Sequence, residues 1–137
     1  MGFSTHLIFG GQCEAAFQFY ARTLGGTIVT MRKYRDSTTA SEVPEGWRDK
    51  IVHANLVLDD TSLAGVDVPP KQYERPQGFY VLLDVADPEH AEHAFRRLAE
   101  GGSIRMALQK TFWSPAFGVL VDRFGVPWEI SCARAAG

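Results

Sequence analysis

The sequence predicts an α+β fold built from two βαβββ modules, and three observations carry that prediction. Two segments repeat their apolar residues with a helical period, and the apolar segments around them read as strands. The two helical segments also end alike, Leu24-Gly25-Gly26-Thr27-Ile28 in the first and Glu100-Gly101-Gly102-Ser103-Ile104 in the second. An internal duplication is the economical reason for the match.

Taken in order, the first helix is expected from about Gln12 to Leu24, because Cys13, Ala16, Phe17, Tyr20 and Leu24 form one stripe of a 3.6-residue period. The second begins at Asp87 as N-cap with Pro88 at the first helical position, and buries Ala91, Ala94, Phe95 and Leu98. Strands are expected at Phe3 to Gly10, Thr27 to Tyr34, Ile51 to Leu58, Ser62 to Asp67, Phe79 to Val85, Ser103 to Lys110, Phe117 to Asp122 and Pro127 to Cys132. Asp122-Arg123-Phe124-Gly125 reads as a hairpin turn. Two segments fit no element, Arg35 to Asp49 and Val68 to Gln77. Loops of that length in a small domain are lids, subunit contacts or plain connections, and Trp47 and Tyr73 are the closing residues if either is a lid.

The chain of 137 residues is expected to be a single domain, 1–137, with module one at about 1–68 and module two at about 77–134. Fourteen Lys and Arg against 16 Asp and Glu leave a net charge of −2 and no basic stripe, which argues against a nucleic-acid partner. No apolar run is long enough for a membrane partner, and the start Met1-Gly2-Phe3-Ser4-Thr5-His6 resembles neither a secretory leader nor a myristoylation signal. A cytoplasmic location is the expectation. Cys13 falls on the helix stripe and reads as core rather than as a reactive thiol. His90 and His93, with Glu89 and Glu92, point away from the buried stripe and read as a solvated face.

Strand alternation sorts the remaining polar residues. Leu7 and Phe9 share one side of the first strand, leaving His6 and Ile8 on the other. Val52, Ala54, Leu56 and Leu58 form the apolar set of the third, leaving Ile51, His53 and Asn55. Tyr80 and Leu82 fall together in the fifth. Trp128, Ile130 and Cys132 belong under a helix, leaving Glu129 and Ser131. With the apolar sets packed on the helices, His6, His53, Asn55, Tyr80 and Glu129 face away from them.

The ordered series Phe9-Gly10-Gly11-Gln12-Cys13-Glu14-Ala15-Ala16-Phe17-Gln18-Phe19-Tyr20, Leu24-Gly25-Gly26, Asp49-Lys50-Ile51-Val52-His53-Ala54, Thr111-Phe112-Trp113-Ser114-Pro115-Ala116-Phe117-Gly118 and Asp122-Arg123-Phe124-Gly125-Val126-Pro127-Trp128 resembles the vicinal oxygen chelate superfamily, and within it the PhnB-like branch. The likeness covers nearly the whole chain. It implies a curved, mostly antiparallel, cup-shaped sheet, the glyoxalase, bleomycin-resistance and dioxygenase fold, and a homodimer. It also implies metal ligands on four strands, here His6, a residue near Leu63 to Gly65, Tyr80 and Glu129. His6 and Glu129 are suitable donors for zinc, iron, nickel or manganese, with Glu129 as the candidate catalytic base.

Two functions follow from the resemblance. One is a small-molecule-binding protein with metal-assisted lyase, isomerase or dioxygenase chemistry. The other is non-catalytic sequestration or resistance, in which His6 and Glu129 form a polar pair and an apolar cup holds the ligand. In the second, Tyr80, Trp113 and Phe117 line the cup while His53 and Asn55 orient the ligand. Branch members carry methyltransferase names, but no glycine-rich nucleotide loop is present and methyl transfer is not expected.

Overall fold

A computed structural model describes residues 1–132. In chain order the elements are β1 (Thr5–Phe9), α1 (Cys13–Leu24), β2 (Thr27–Lys33), β3 (Ile51–Leu58), β4 (Thr61–Asp67), β5 (Val81–Val85), α2 (Pro88–Ala99), β6 (Ser103–Gln109), β7 (Phe117–Val121) and β8 (Pro127–Cys132). This is βαβββ twice, an α+β fold of two modules. Contacts divide the chain into two compact units, the first ending at Glu74 and the second beginning at Arg75. Residues 133 and 134, expected at the end of module two, lie outside the described residues.

Each unit holds one four-stranded sheet, ordered β1-β4-β3-β2 in the first and β5-β8-β7-β6 in the second. In both, the first strand pairs parallel with the last and the other pairs are antiparallel. The crossover through a helix forces this, because the strand after it starts on the far edge and two hairpins bring the chain back beside its origin. Both helices leave through a glycine in the left-handed region, Gly25 at φ 82° and Gly101 at φ 74°, where a side chain would be strained.

In the first unit α1 lays Cys13, Ala16, Phe17 and Tyr20 on a sheet face formed by Leu7, Phe9, Ala54 and Leu56, all 2% exposed or less. The contact is close. A Cβ at Gly65 would lie 2.5 Å from the Phe17 ring, so β4 must carry glycine there. In the second unit α2 packs on β7 and β8, over Leu120, Trp128, Ile130 and Cys132. Asp87 caps α2 as expected, its carboxylate accepting the His90 N–H at 2.8 Å. His90 and His93 are exposed.

Three details differ from expectation. β1 begins at Thr5 and leaves Phe3 fully exposed, and β5 begins at Val81, so Phe79 and Tyr80 precede it. Ile51, placed by strict alternation beside His53, is instead buried at 1%. Arg32 opposes His53 while Lys33 opposes Ile51, so Val52 is an extra residue and the bulge turns Ile51 toward the core. The first long loop holds short 3-10 turns at Tyr34–Asp36, Ala40–Glu42 and Glu45–Trp47, and the second holds one at Pro70–Gln72. Trp47 and Tyr73 both rest on the turn after β1, where a Cβ at Gly11 would lie 3.2 Å from Trp47 and one at Gly10 would lie 3.3 Å from Tyr73. Both aromatics are thus seated on their own module's edge.

Candidate functional site

Register assigns each candidate a place. In the first sheet His6 opposes Ala64, Ala64 opposes Asn55, and Asn55 opposes Thr30, so these four form one row on the side away from α1. His53 shares that side with Asn55, opposite Arg32. His6 and His53 are exposed and Asn55 is half-buried. In the second sheet the equivalent row is Leu82, Glu129, Val119 and Met106. Phe117 opposes Ser131, two residues on from Glu129, and therefore lies on the same side.

Glu129 is half-buried between Leu82, 54% exposed, and the buried Val119. Its carboxylate has no hydrogen-bond or ion-pair partner among the described residues, and neither do the side chains of His6, His53 and Asn55. Phe117 is covered by Trp113, with centroids 5.2 Å apart and rings nearly perpendicular, and Phe112 meets Trp113 edge-on at 4.7 Å. Trp113 keeps 48% of its surface exposed. The loop that carries it is pinned by Ser114, whose buried hydroxyl lies 2.7 Å from the Cys132 carbonyl and accepts the Cys132 and Ala116 N–H groups. Tyr80, 38% exposed, accepts a hydrogen bond from Arg105 Nη1 at 3.1 Å.

Two buried carboxylates missed in the sequence hold the frame around these faces. Asp67 at the end of β4 accepts the N–H groups of Gly11, Cys13 and Ile51, so it caps α1 from another strand while Gln12 makes no side-chain cap. Asp122 accepts the N–H groups of Phe124 and Val126 and the indole N–H of Trp128. Their place before or after a turn is the only sequence signal either had.

Cys13 is fully buried, and that burial, followed by the charges of Asp67 and Glu14, pushes its thiol far above the usual range. Burial and Asp67 raise the Tyr34 phenol likewise. A raised acid keeps its proton in the fold, so its stabilising effect is complete below the unfolded pKa and is lost as pH rises toward the folded value. We expect wild-type stability to fall more steeply than that of Cys13→Ala above the ordinary thiol pKa, by about 1.4 kcal/mol per pH unit. Denaturant titrations from neutral to alkaline pH measure the difference, and parallel curves would contradict it.

The resemblance to vicinal oxygen chelate proteins implies a metal, and the donor set can be tested against these rows. The row equivalence puts Leu82, not Tyr80, in the position matching His6, since Leu82 opposes Glu129 as His6 opposes Ala64. The four ligand positions therefore hold His6, Ala64, Leu82 and Glu129. Each sheet supplies one donor, whereas a protein-held catalytic zinc generally uses three. Among the described residues no group of three His, Cys, Asp or Glu is placed to hold an ion. The residues at these positions do not fit a metal bound in the superfamily's manner.

The paired βαβββ modules define the class. Solved structures described as glyoxalase/bleomycin resistance/dioxygenase or glyoxalase-related proteins share the fold at TM-scores of 0.66 to 0.67 and 13 to 18% identity. The chain belongs to the PhnB-like family, whose profile, described as 3-demethylubiquinone-9 3-methyltransferase, matches residues 1–131. It is similar to Protein YjdN of Escherichia coli, 32% identical over 98% of this chain and 97% of that one. Among structures, protein PA1353 of Pseudomonas aeruginosa aligns with TM-score 0.89 and 40% identity over 98% of this chain and 99% of the other. A PhnB protein of Bacillus cereus, described as a putative 3-demethylubiquinone-9 3-methyltransferase, aligns with TM-score 0.81 and 25% identity over 97% and 100%.

Proposed function

We propose that the protein binds a small organic molecule on the sheet faces turned away from its helices and acts by sequestering it. The observation that carries this reading is Glu129, a half-buried carboxylate without a partner among the described residues, beside an aromatic wall. Partial burial of a charge costs free energy unless something satisfies it, and a ligand group does so while Trp113 and Phe117 take its apolar part. Tyr80 supplies a further polar contact on this face of the second unit, and His53 and Asn55 are the polar groups on the corresponding face of the first. At the four positions that the resemblance names, each sheet holds a single donor, which favours sequestration over metal-assisted lyase, isomerase or dioxygenase chemistry.

The same reading has two copies associating in the cytoplasm. β6 supports the association: it is an edge strand, and its Ile104 and Met106 are 56% and 40% exposed. Among the described residues no helix is long and apolar enough to cross a membrane.

The test combines metal analysis with a small-molecule screen read at the Trp113 indole by NMR. Protein purified without chelators should carry no stoichiometric metal. Molecules that shift Trp113 should lose about tenfold in affinity in Glu129→Gln, equivalent to 1.4 kcal/mol. Stoichiometric metal that disappears in both His6→Ala and Glu129→Ala would replace sequestration with the metal-assisted reading.

A further inference from the structure

Ile104 and Met106 of β6 oppose Leu120 and Val119, which are consecutive in β7, so Arg105 is the extra residue of a β-bulge. A bulge of this kind sets two successive side chains on the same side and re-aims one of them. Arg105 thereby joins Met106 on the side that carries Glu129. There Arg105 Nη1 donates to the Tyr80 hydroxyl, and its guanidinium carbon lies 5.8 Å from the Tyr80 ring centroid. Because β6 is one edge of the sheet and Tyr80 immediately precedes β5 at the other, the pair reaches across the whole face.

Tyr80 takes one of five guanidinium N–H groups, and the others have no partner among the described residues. Glu129, on the same face, forms no ion pair with it. Opposite charges therefore stand on one face without pairing. A ligand with one charge would satisfy one group and leave the other exposed or repelled, whereas a ligand with both satisfies both. The first module repeats the bulge, with Ile28 and Thr30 opposing Leu56 and Asn55, but its extra residue is Val29. The backbone device is thus shared by both modules, and the charge on it belongs to the second alone.

The geometry points to Arg105, held by Tyr80, as the oxyanion-binding residue of the second sheet, and to a compact zwitterion with a flat apolar body as the ligand class. Its cationic group faces Glu129, its oxyanion faces Arg105, and Trp113 and Phe117 take the body. This rests on the reading that the Glu129 face binds a small molecule.

Three probes separate the contributions: 4-(aminomethyl)benzoate carries both charges, 4-methylbenzoate only the anion, and benzylamine only the cation. Wild type, Arg105→Gln, Tyr80→Phe and Glu129→Gln are titrated by NMR, with circular dichroism confirming their folds. The zwitterion should bind wild type about tenfold more tightly than either analogue. Arg105→Gln should abolish its advantage over benzylamine, and Glu129→Gln its advantage over 4-methylbenzoate. Tyr80→Phe should weaken both carboxylates and leave benzylamine unchanged.

A zwitterion that binds no better than its analogues overturns the inference, as does an advantage over benzylamine that survives Arg105→Gln. Equal loss of all three probes in Arg105→Gln does so too, because that marks a structural effect. Absence of zwitterion binding in the low-millimolar range also overturns it. If other molecules still shift Trp113 in a Glu129-dependent way, the face remains a binding site of different specificity; if none does, the underlying reading fails with it.

Discussion

Asp67→Ala should destabilise the protein by about 4 kcal/mol, which for a chain of this length lowers Tm by about 14 °C. The carboxylate is 1% exposed and accepts three N–H groups, those of Gly11 and Cys13 at the start of α1 and that of Ile51 at the start of β3. Hydrogen bonds to a charged acceptor contribute about 1.5 to 3 kcal/mol each, and water entering the small void recovers part of the loss. The effect extends beyond the helix cap. The Asp67 carbonyl accepts the Tyr34 hydroxyl at 2.6 Å, and Lys50 Nζ donates to the Gly11 carbonyl, so the loop after β2 is tied to the same point. Asp67→Asn keeps one carbonyl oxygen and should fall between wild type and alanine. Urea unfolding measures all three, and a loss below about 1 kcal/mol in Asp67→Ala would show that the cap does not matter.

Asp122→Ala should cost about 3 kcal/mol, by the same reasoning applied to the second unit. Asp122 is 3% exposed and closes the β7–β8 turn through Phe124 and Val126, with Gly125 in the left-handed region at φ 89°. Its second oxygen accepts the indole N–H of Trp128 at 2.9 Å, and Trp128 is 1% exposed, directly preceding Glu129. Trp128→Phe should therefore be partly redundant with Asp122→Ala. The double variant is expected to be less destabilised than the sum of the singles by about 1 kcal/mol, and strict additivity would mean that the two do not act together.

Much of the architecture was legible in the sequence because it rests on local physics. The stripe Cys13, Ala16, Phe17, Tyr20 needs only the helical period, the Asp87-Pro88 start only capping chemistry, and the paired Gly-Gly exits only the conformational freedom of glycine. Alternation likewise placed His6, Asn55 and Glu129 opposite the buried sets of their strands. It failed at Ile51 and said nothing of Arg105, for one reason: each lies at a bulge, where one extra residue resets which side the chain presents. A bulge is set by pairing with a neighbouring strand, so no single strand's sequence contains it.

The carboxylates divide the same way. Asp87 caps the helix it precedes and could be read in place, whereas Asp67 caps α1 from more than 50 residues away and could not. The sequence by itself determined the modules, their helices and the polar residues available to a site. Only the tertiary structure decided that Leu82 and not Tyr80 stands beside Glu129, that each sheet carries one donor of the expected metal set, and that Arg105 crosses to Tyr80. Periodicity is a property of one segment, while register, bulges and long-range hydrogen bonds exist only between segments that folding has brought together.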